Sequence, residues 1–331
     1  MLTKRLLAST FLLAIAACGD DSSTQCVGHL CGSDIKLTDA DGGNILLEYI
    51  YLDTELQAIF QGAGLPAGTT TITRAIAYFL NNQSPSNNPL PMPGVCNSFD
   101  DTKGWPMFAG TTHEDLDVGT VKITGKNTAG QDVVINVPKQ AKGLDNIGRP
   151  HDIFYQTILP KAEENLQPNS SYTLEIGGNG VIAQASLKDQ FFMAQTFQVS
   201  SPGFEENGPL KATADFPVHW TAADSTNAPM GTDVLGVTWL VDSKGSPTHM
   251  CPTAVTDGQF TIPAATIAEY RRVATARGTN PDKVILLRNA IVHRVARLPN
   301  GSSLSGDSAN KRRVDTLTVN CWAQLMDCTA N

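Results

Sequence analysis

Leu166-Gln-Pro168-Asn-Ser170-Ser-Tyr172-Thr-Leu174-Glu-Ile176 decides the fold of this chain. Tyr172, Leu174 and Ile176 fall on every second residue, the period that lets a strand bury one face and wet the other. The same period recurs outward in both directions. It is found in Val121-Lys-Ile123-Thr-Gly125, Val133-Val-Ile135-Asn-Val137, Phe216-Pro-Val218-His-Trp220, Leu235-Gly-Val237-Thr-Trp239-Leu-Val241 and Leu317-Thr-Val319-Asn-Cys321. From about residue 32 onward, 28 glycines and 19 prolines over the whole chain interrupt these stretches. Many short alternating strands with frequent turn signals predict an all-β protein built of sandwiches.

The Leu166–Tyr172 stretch resembles the Leu-x-Pro-x-Thr-x-Tyr run that opens a late strand of fibronectin type III and bacterial Ig-like domains, with Ser170 where that family usually has Thr. The resemblance spans about eleven residues. It implies a tyrosine corner: Leu166 plugs the core, Pro168 fixes the turn, and the Tyr172 hydroxyl bonds back to upstream backbone while its ring packs. Phe191 to Val199, with Ala194-Gln-Thr-Phe197-Gln-Val199, then reads as a closing strand. Ser201-Pro202-Gly203-Phe204-Glu-Glu-Asn-Gly208-Pro209 reads as a linker. The expected organisation is two Ig-like sandwiches in series, at 34–200 and 210–331 with a linker at 201–209.

One short helix is expected in the second sandwich. Pro263 precedes Ala264 to Arg277, where Ile267, Tyr270 and Ala274 recur at three- and four-residue steps, and Gly278 follows. Val284 to Val295 and Asp315 to Trp322 read as the last two strands. The stretch 53–115 reads as strands plus a long excursion, since Leu56-Gln-Ala-Ile59-Phe60 is apolar enough to pack and Asn81 to Asn88 is polar and turn-rich.

The first residues carry a different signal. Met1-Leu-Thr-Lys4-Arg5 is a basic head, Leu6 to Ala17 is mostly apolar, and the run ends at Ile15-Ala16-Ala17-Cys18. A basic start, roughly 7–15 apolar residues and small residues before a cut describe a secretory signal. The cysteine after Ala-Ala resembles the lipobox at which bacterial lipoproteins are cleaved and acylated. That resemblance implies lipidation, palmitate included, at Cys18, a signal peptide at 1–17 and a lipidated tether at 18–33. An ordinary signal peptide with a chance cysteine is the competing reading. Gly19, where Asp favours inner-membrane retention, implies placement in the outer membrane, facing either the periplasm or the outside. Loss of Lys4 and Arg5 with the signal moves the formal charge from −8 to −10. An acidic chain with scattered Lys and Arg lacks the cationic footprint of a nucleic-acid binder. The partners expected are the membrane, through the lipid, and a protein or glycan at the cell surface.

Besides Cys18 there are six cysteines, Cys26, Cys31, Cys96, Cys251, Cys321 and Cys328, an even number suited to disulfides in an oxidising compartment. Cys26 and Cys31 enclose four residues and suit a local bridge; a metal site using His29 is the alternative, but the spacing matches no structural zinc pattern. Cys321 shares a strand face with Leu317 and Val319, which points to a buried bridge to Cys251, with Cys328 as the competing partner.

No Gly-x-Ser-x-Gly elbow, phosphate-cradling loop or His-Glu-x-x-His helix occurs, so no catalytic residue is assigned. His113-Glu114-Asp115-Leu-Asp117 is the densest cluster of acid-base groups, and loop composition around it favours a solvated acidic loop over a site. Asp39, Asp41 and Asn44 alternate around a glycine turn and are Ca²⁺ candidates, although the EF-hand's distal Glu is replaced by Ile50, and an Asp-Gly hairpin turn explains the same residues. No other cofactor is expected. Trp105 is the tryptophan in a loop, a candidate sugar platform or a plug, whereas Trp220, Trp239 and Trp322 fall within strands. The functional expectation is a non-catalytic structural, adhesive or partner-binding lipoprotein of the envelope. The alternative is an envelope carbohydrate-binding protein or hydrolase using the His113–Asp117 loop.

Overall fold

The computed structural model describes residues 43–62, 64–81, 96–98, 114–144, 150–195, 199–201, 208–221, 229, 234–254, 258–298 and 312–331. Its longer strands are β1 (Gly43–Leu52), β2 (Thr71–Asn81), β3 (Val121–Lys126), β4 (Asp132–Val137), β5 (Phe154–Pro160), β6 (Ser170–Ile176), β7 (Ala185–Met193), β8 (Phe216–Trp220), β9 (Val234–Asp242), β10 (Pro247–Ala254), β11 (Gln259–Ile262), β12 (Lys283–Leu298) and β13 (Arg312–Thr329). The helices are α1 (Thr54–Gly62), α2 (Ala162–Asn165) and α3 (Ala264–Ala276). The protein is all-β, as the alternation predicts.

One large sheet runs in the order β10, β9, β12, β13, β1, β2, β5. The two-residue strands Asn97–Ser98 and Lys139–Gln140 extend its ends. Neighbours are antiparallel except β1 and β13, which pair in parallel with Leu46 opposite Leu317 and Tyr49 opposite Asn320. The boundary expected at 201–209 therefore does not divide the β-structure. Strands from 34–200 and from 210–331 lie side by side in one sheet: β1 is apolar on nearly all of both faces, and β13 buries Leu317, Val319, Cys321 and Ala323 on one face and Thr316, Thr318, Asn320 and Gln324 on the other. Parallel neighbours of this kind are buried, and β1 reads Ile45-Leu-Leu-Glu-Tyr-Ile-Tyr-Leu52 with hardly a break.

The large sheet is covered by different elements along its length. Under the four-stranded sheet β7, β6, β3, β4, the odd residues Ile45, Leu47 and Tyr49 pack with Ile123, Ile135 and Leu174. Farther along, Leu240, Leu286, Val292 and Met326 pack with Ile267, Tyr270 and Ala274 of α3, and with Val218 and Trp220 of a small sheet made of Val199–Ser201, β8 and β11. On the opposite face Leu46, Ile50, Trp239, Leu287 and Val319 form a third core, to which α1 adds Leu56 and Phe60. Each such fully buried side chain contributes about 1.5–3 kcal/mol.

Val199–Ser201 corrects the expected closing strand. The strand of the first cover is β7, ending at Met193, whereas Val199 pairs with Trp220 and belongs with the later elements. Ser201, placed in the linker by sequence, is its last residue.

The tyrosine corner is present. The Tyr172 hydroxyl donates to Lys126 O at 2.9 Å and accepts from the Gln167 N–H, and Leu166 is buried. The ring lies across Gly125, where a Cβ would sit 2.3 Å from a ring carbon, so only glycine admits it. Burial pushes the hydroxyl's pKa up to about 12.

The helix predicted over 264–277 is α3. Pro263 enters it extended, Ala264 N–H donates to Asp215 Oδ1 at 2.8 Å, and Gly278 ends it at φ 64°. Two further helices precede it. Residues 54–62, expected as strand, form α1 because Asp53 caps them: its Oδ1 accepts from Leu56 N–H at 2.7 Å and its Oδ2 from Leu325 N–H at 2.5 Å. Leu56, Ile59 and Phe60 then share the inward face.

Cys251 is bridged to Cys96, 155 positions away, and Cys321 and Cys328 are buried free thiols. The expected Cys251–Cys321 bridge fails on geometry. Cys321 points into the core beneath Leu46 and Trp239, whereas Cys251 points to the other face of the same sheet. Cys328 lies on Cys251's face but at the far end of β13.

Candidate functional site

The acidic cluster singled out in the sequence is split by the fold into two hydrogen-bonded posts. Glu114–Asp115 adds a short strand beside β2, with Asp115 opposite Leu80, and Leu116 N–H donates to Phe79 O at 2.8 Å. Pairing therefore aims alternate side chains in opposite directions. Glu114 is exposed, and Asp115 turns inward.

Asp115 meets His151. Its Oδ1 is 2.6 Å from His151 Nδ1, and the two side chains are 6% and 0% exposed. Its Oδ2 accepts the backbone N–H groups of Asp152 at 2.5 Å and Ile153 at 3.3 Å. The imidazole stacks on Tyr78, ring centroids 4.7 Å apart, and the Tyr78 hydroxyl accepts from Asn44 Nδ2 at 2.8 Å. A carboxylate on Nδ1 fixes the imidazole's orientation, the arrangement used by general bases and by structural ties alike. With no solvent exposure at His151, the pair ties residues 114–115 to 150–153.

Asp117 forms the second post. Its Oδ1 accepts from Gly119 N–H at 2.8 Å and the Tyr155 hydroxyl at 2.9 Å, while Oδ2 takes Lys139 Nζ at 2.7 Å. Burial works to raise its pKa, but Lys139 and these two donors hold the carboxyl below the usual range. Tyr155 accepts Val118 N–H at 2.9 Å, and burial and then Asp117 drive its hydroxyl well above the ordinary value. The loop thus joins Asp115, not Asp117, to His151, and His113 lies outside the described residues.

Other sequence candidates fall as follows. Cys18, Cys26, Cys31, Asp39, Asp41 and Trp105 lie outside the described residues. Asn44 is in β1, its amide spent on Tyr78. Among the described residues no group of three or more His, Cys, Asp or Glu side chains is arranged to hold a metal ion. None of their helices is long and apolar enough to cross a membrane.

Two polar groups that sequence reading missed lie inside the large sheet. Glu48 and Arg74 stand directly opposite each other on β1 and β2 and form an ion pair with both side chains at 1–2% exposure. Burial pushes the Glu48 carboxyl up against the pull of Arg74. The only outward sign was a lone Glu and a lone Arg, each in an apolar strand. Burial raises the thiol of Cys321, on that same face, well above its ordinary value and pushes Cys328, on the opposite face, up to about 11, so neither is a ready nucleophile.

No family model matches this chain, and no curated protein matches it.

Proposed function

We propose that this protein is a cell-envelope lipoprotein, held at the outer membrane by an acyl group on Cys18, whose β-structure serves as a non-catalytic structural, adhesive or partner-binding module. The observation that carries the proposal is the run Lys4-Arg5, Leu6–Ala17 and Ile15-Ala16-Ala17-Cys18. The state of the acidic loop supports its non-catalytic half. Asp115 and Asp117 spend their oxygens on backbone N–H groups, His151, Tyr155 and Lys139. Such bonds position strands.

Intact mass and peptide mass spectrometry of the full chain purified from membranes tests the anchor. The expected result is an N-terminus at Cys18 carrying acyl mass, lost together with membrane association in Cys18→Ser. An N-terminus at Met1, or an unacylated Cys18, overturns it. Protease shaving of intact cells then tells the periplasmic face from the external one.

A further inference from the structure

We propose that the outer edge of β4 is a self-association surface, on which a second copy of this chain adds its own β4 in antiparallel register about a two-fold axis at Val134. The inference names the partner in the binding half of the reading above and does not depend on the acyl anchor.

β4 ends the four-stranded sheet, and among the described residues no strand pairs with its far side. The hairpin turn decides which backbone groups that edge presents. Asn127 N–H donates to Gln131 O at 3.0 Å and Gly130 N–H to Asn127 O at 2.9 Å, so Asn127 and Gln131 are a hydrogen-bonded pair. Bonded and non-bonded pairs alternate along an antiparallel ladder. Val133, Ile135 and Val137 therefore bond across to Gly125, Ile123 and Val121, while Asp132, Val134 and Asn136 aim their N–H and C=O groups away from β3.

The two edges of this sheet are treated in opposite ways. Sheet edges are ordinarily guarded by a lysine, a bulge or a proline. β7 has two of these guards, an exposed Lys188 and a register shift against β6 in which Asp189 takes φ 52°. β4 has neither. Its single charge, Asp132, is held by Lys126 Nζ of β3 at 2.8 Å, and Pro138 comes only after its last residue. Among the described residues Val134 is the one large apolar side chain left exposed, at 57%.

The order of residues along β4 selects a second copy. Antiparallel pairing about Val134 sets Val134 opposite the partner's Val134 and Asp132 opposite the partner's Asn136, and each of these pairs exchanges two backbone bonds. The apolar side chains meet on the axis, and the Asn136 amide is opposite a carboxylate to which it can donate. Slipping the pairing by two residues in either direction sets Val134 against Asp132 or Asn136. The interface is isologous and closes at two copies, since each β4 has one open edge.

The test is Val134→Cys in the full chain, oxidised mildly in membranes. Opposed residues of a bonded pair stand about 5.5 Å apart at Cα, within disulfide reach. The expected result is a covalent dimer whose linked peptide is the 134 segment joined to itself. Asn136→Cys alone is expected to give no such link, and Asn136→Cys mixed with Asp132→Cys to give one. Sedimentation velocity of the full chain in detergent is expected to show a reversible monomer–dimer equilibrium, kept by Val134→Ile and weakened about tenfold by Val134→Lys, which sets like charges opposite each other. Because Val134 is exposed, Val134→Lys is expected to leave Tm unchanged. A monomer at every concentration, a dimer untouched by folded Val134→Lys, or equal linking from Asn136→Cys alone overturns the proposal. A chain acylated at Cys18 that stays monomeric removes the interface and keeps the anchor; a chain without acyl mass that pairs through residue 134 does the reverse.

Discussion

The two covers of the large sheet are fastened by opposite means. The four-stranded cover is sewn from neighbours: β3 and β4 form a hairpin, β6 and β7 lie next to each other in the chain, and the Tyr172 hydroxyl ties Gln167 to Lys126. The other cover is gathered from a distance. Beneath it the disulfide from Cys96 to Cys251 secures the Asn97–Ser98 edge of the large sheet to β10, and the cover's helix α3 packs on both while its Arg271 Nη1 reaches the carbonyl of Cys328. The first cover depends on short-range hydrogen bonds, the second on links whose worth lies in the length of chain they close. Both rest on one sheet, so the contrast concerns fastening and not independence.

The largest effect tests that last statement. Arg74→Ala strands the Glu48 carboxylate in the core and is expected to cost about 3–5 kcal/mol, read as a lowered urea midpoint. One transition, coincident by tryptophan fluorescence and far-UV circular dichroism, is expected; two separate transitions break the shared-sheet picture. Next, Cys96→Ser with Cys251→Ser is expected to cost about 2–4 kcal/mol through loop closure. Hydrogen exchange sharpens the comparison here, with amides of α3 and β10 losing protection and those of β6 keeping it.

A third effect is also confined to the distant-link side. His249 lies beneath α3, where burial above all lowers its pKa to about 4, with Glu269 opposing and Arg277 and Arg272 assisting. The folded state resists the proton that an unfolded histidine takes up near pH 6.5, so this contribution is fully present above pH 6.5. It is lost as pH falls toward 4, by about 3 kcal/mol. Wild type minus His249→Gln, measured by urea unfolding across that window, is expected to show the slope; parallel curves refute it. The smallest effect falls on the local side. Tyr172→Phe removes the acceptor of the Gln167 N–H and is expected to cost about 1–2 kcal/mol, visible as a lower Tm with unchanged far-UV circular dichroism.

The same contrast explains what was legible beforehand. The strands around Tyr172, the tyrosine corner and α3 follow from short patterns: alternation, a Leu-x-Pro turn, and Pro263 and Gly278 bracketing a helical period. The sharing of one sheet by β1 and β13 has no local signature, since any two apolar strands pair equally well on paper. Helix α1 has a start signal, Asp53 ahead of Leu56, Ile59 and Phe60 at helical steps, but so short an apolar run suits a strand as well. In the acidic loop the cluster is visible, but Asp115 as the partner of His151 is not, because it depends on the pairing of Glu114–Asp115 with β2, which turns Asp115 inward and has no local signature. The partner of Cys96 has no local signature either, because 155 positions separate it from Cys251.

The parallel pairing of β1 with β13 has a consequence for how the molecule comes into being. Gly43–Leu52 is made long before Arg312–Thr329, so the central ladder closes only after every strand between them has emerged. Until then an apolar segment waits with one hydrogen-bonding edge open, a sticky template for any other nascent chain. A nonsense mutation at Arg312 thus deprives the first strand of its neighbour, and the product is destined for holdases and proteases instead of a truncated version of the same fold.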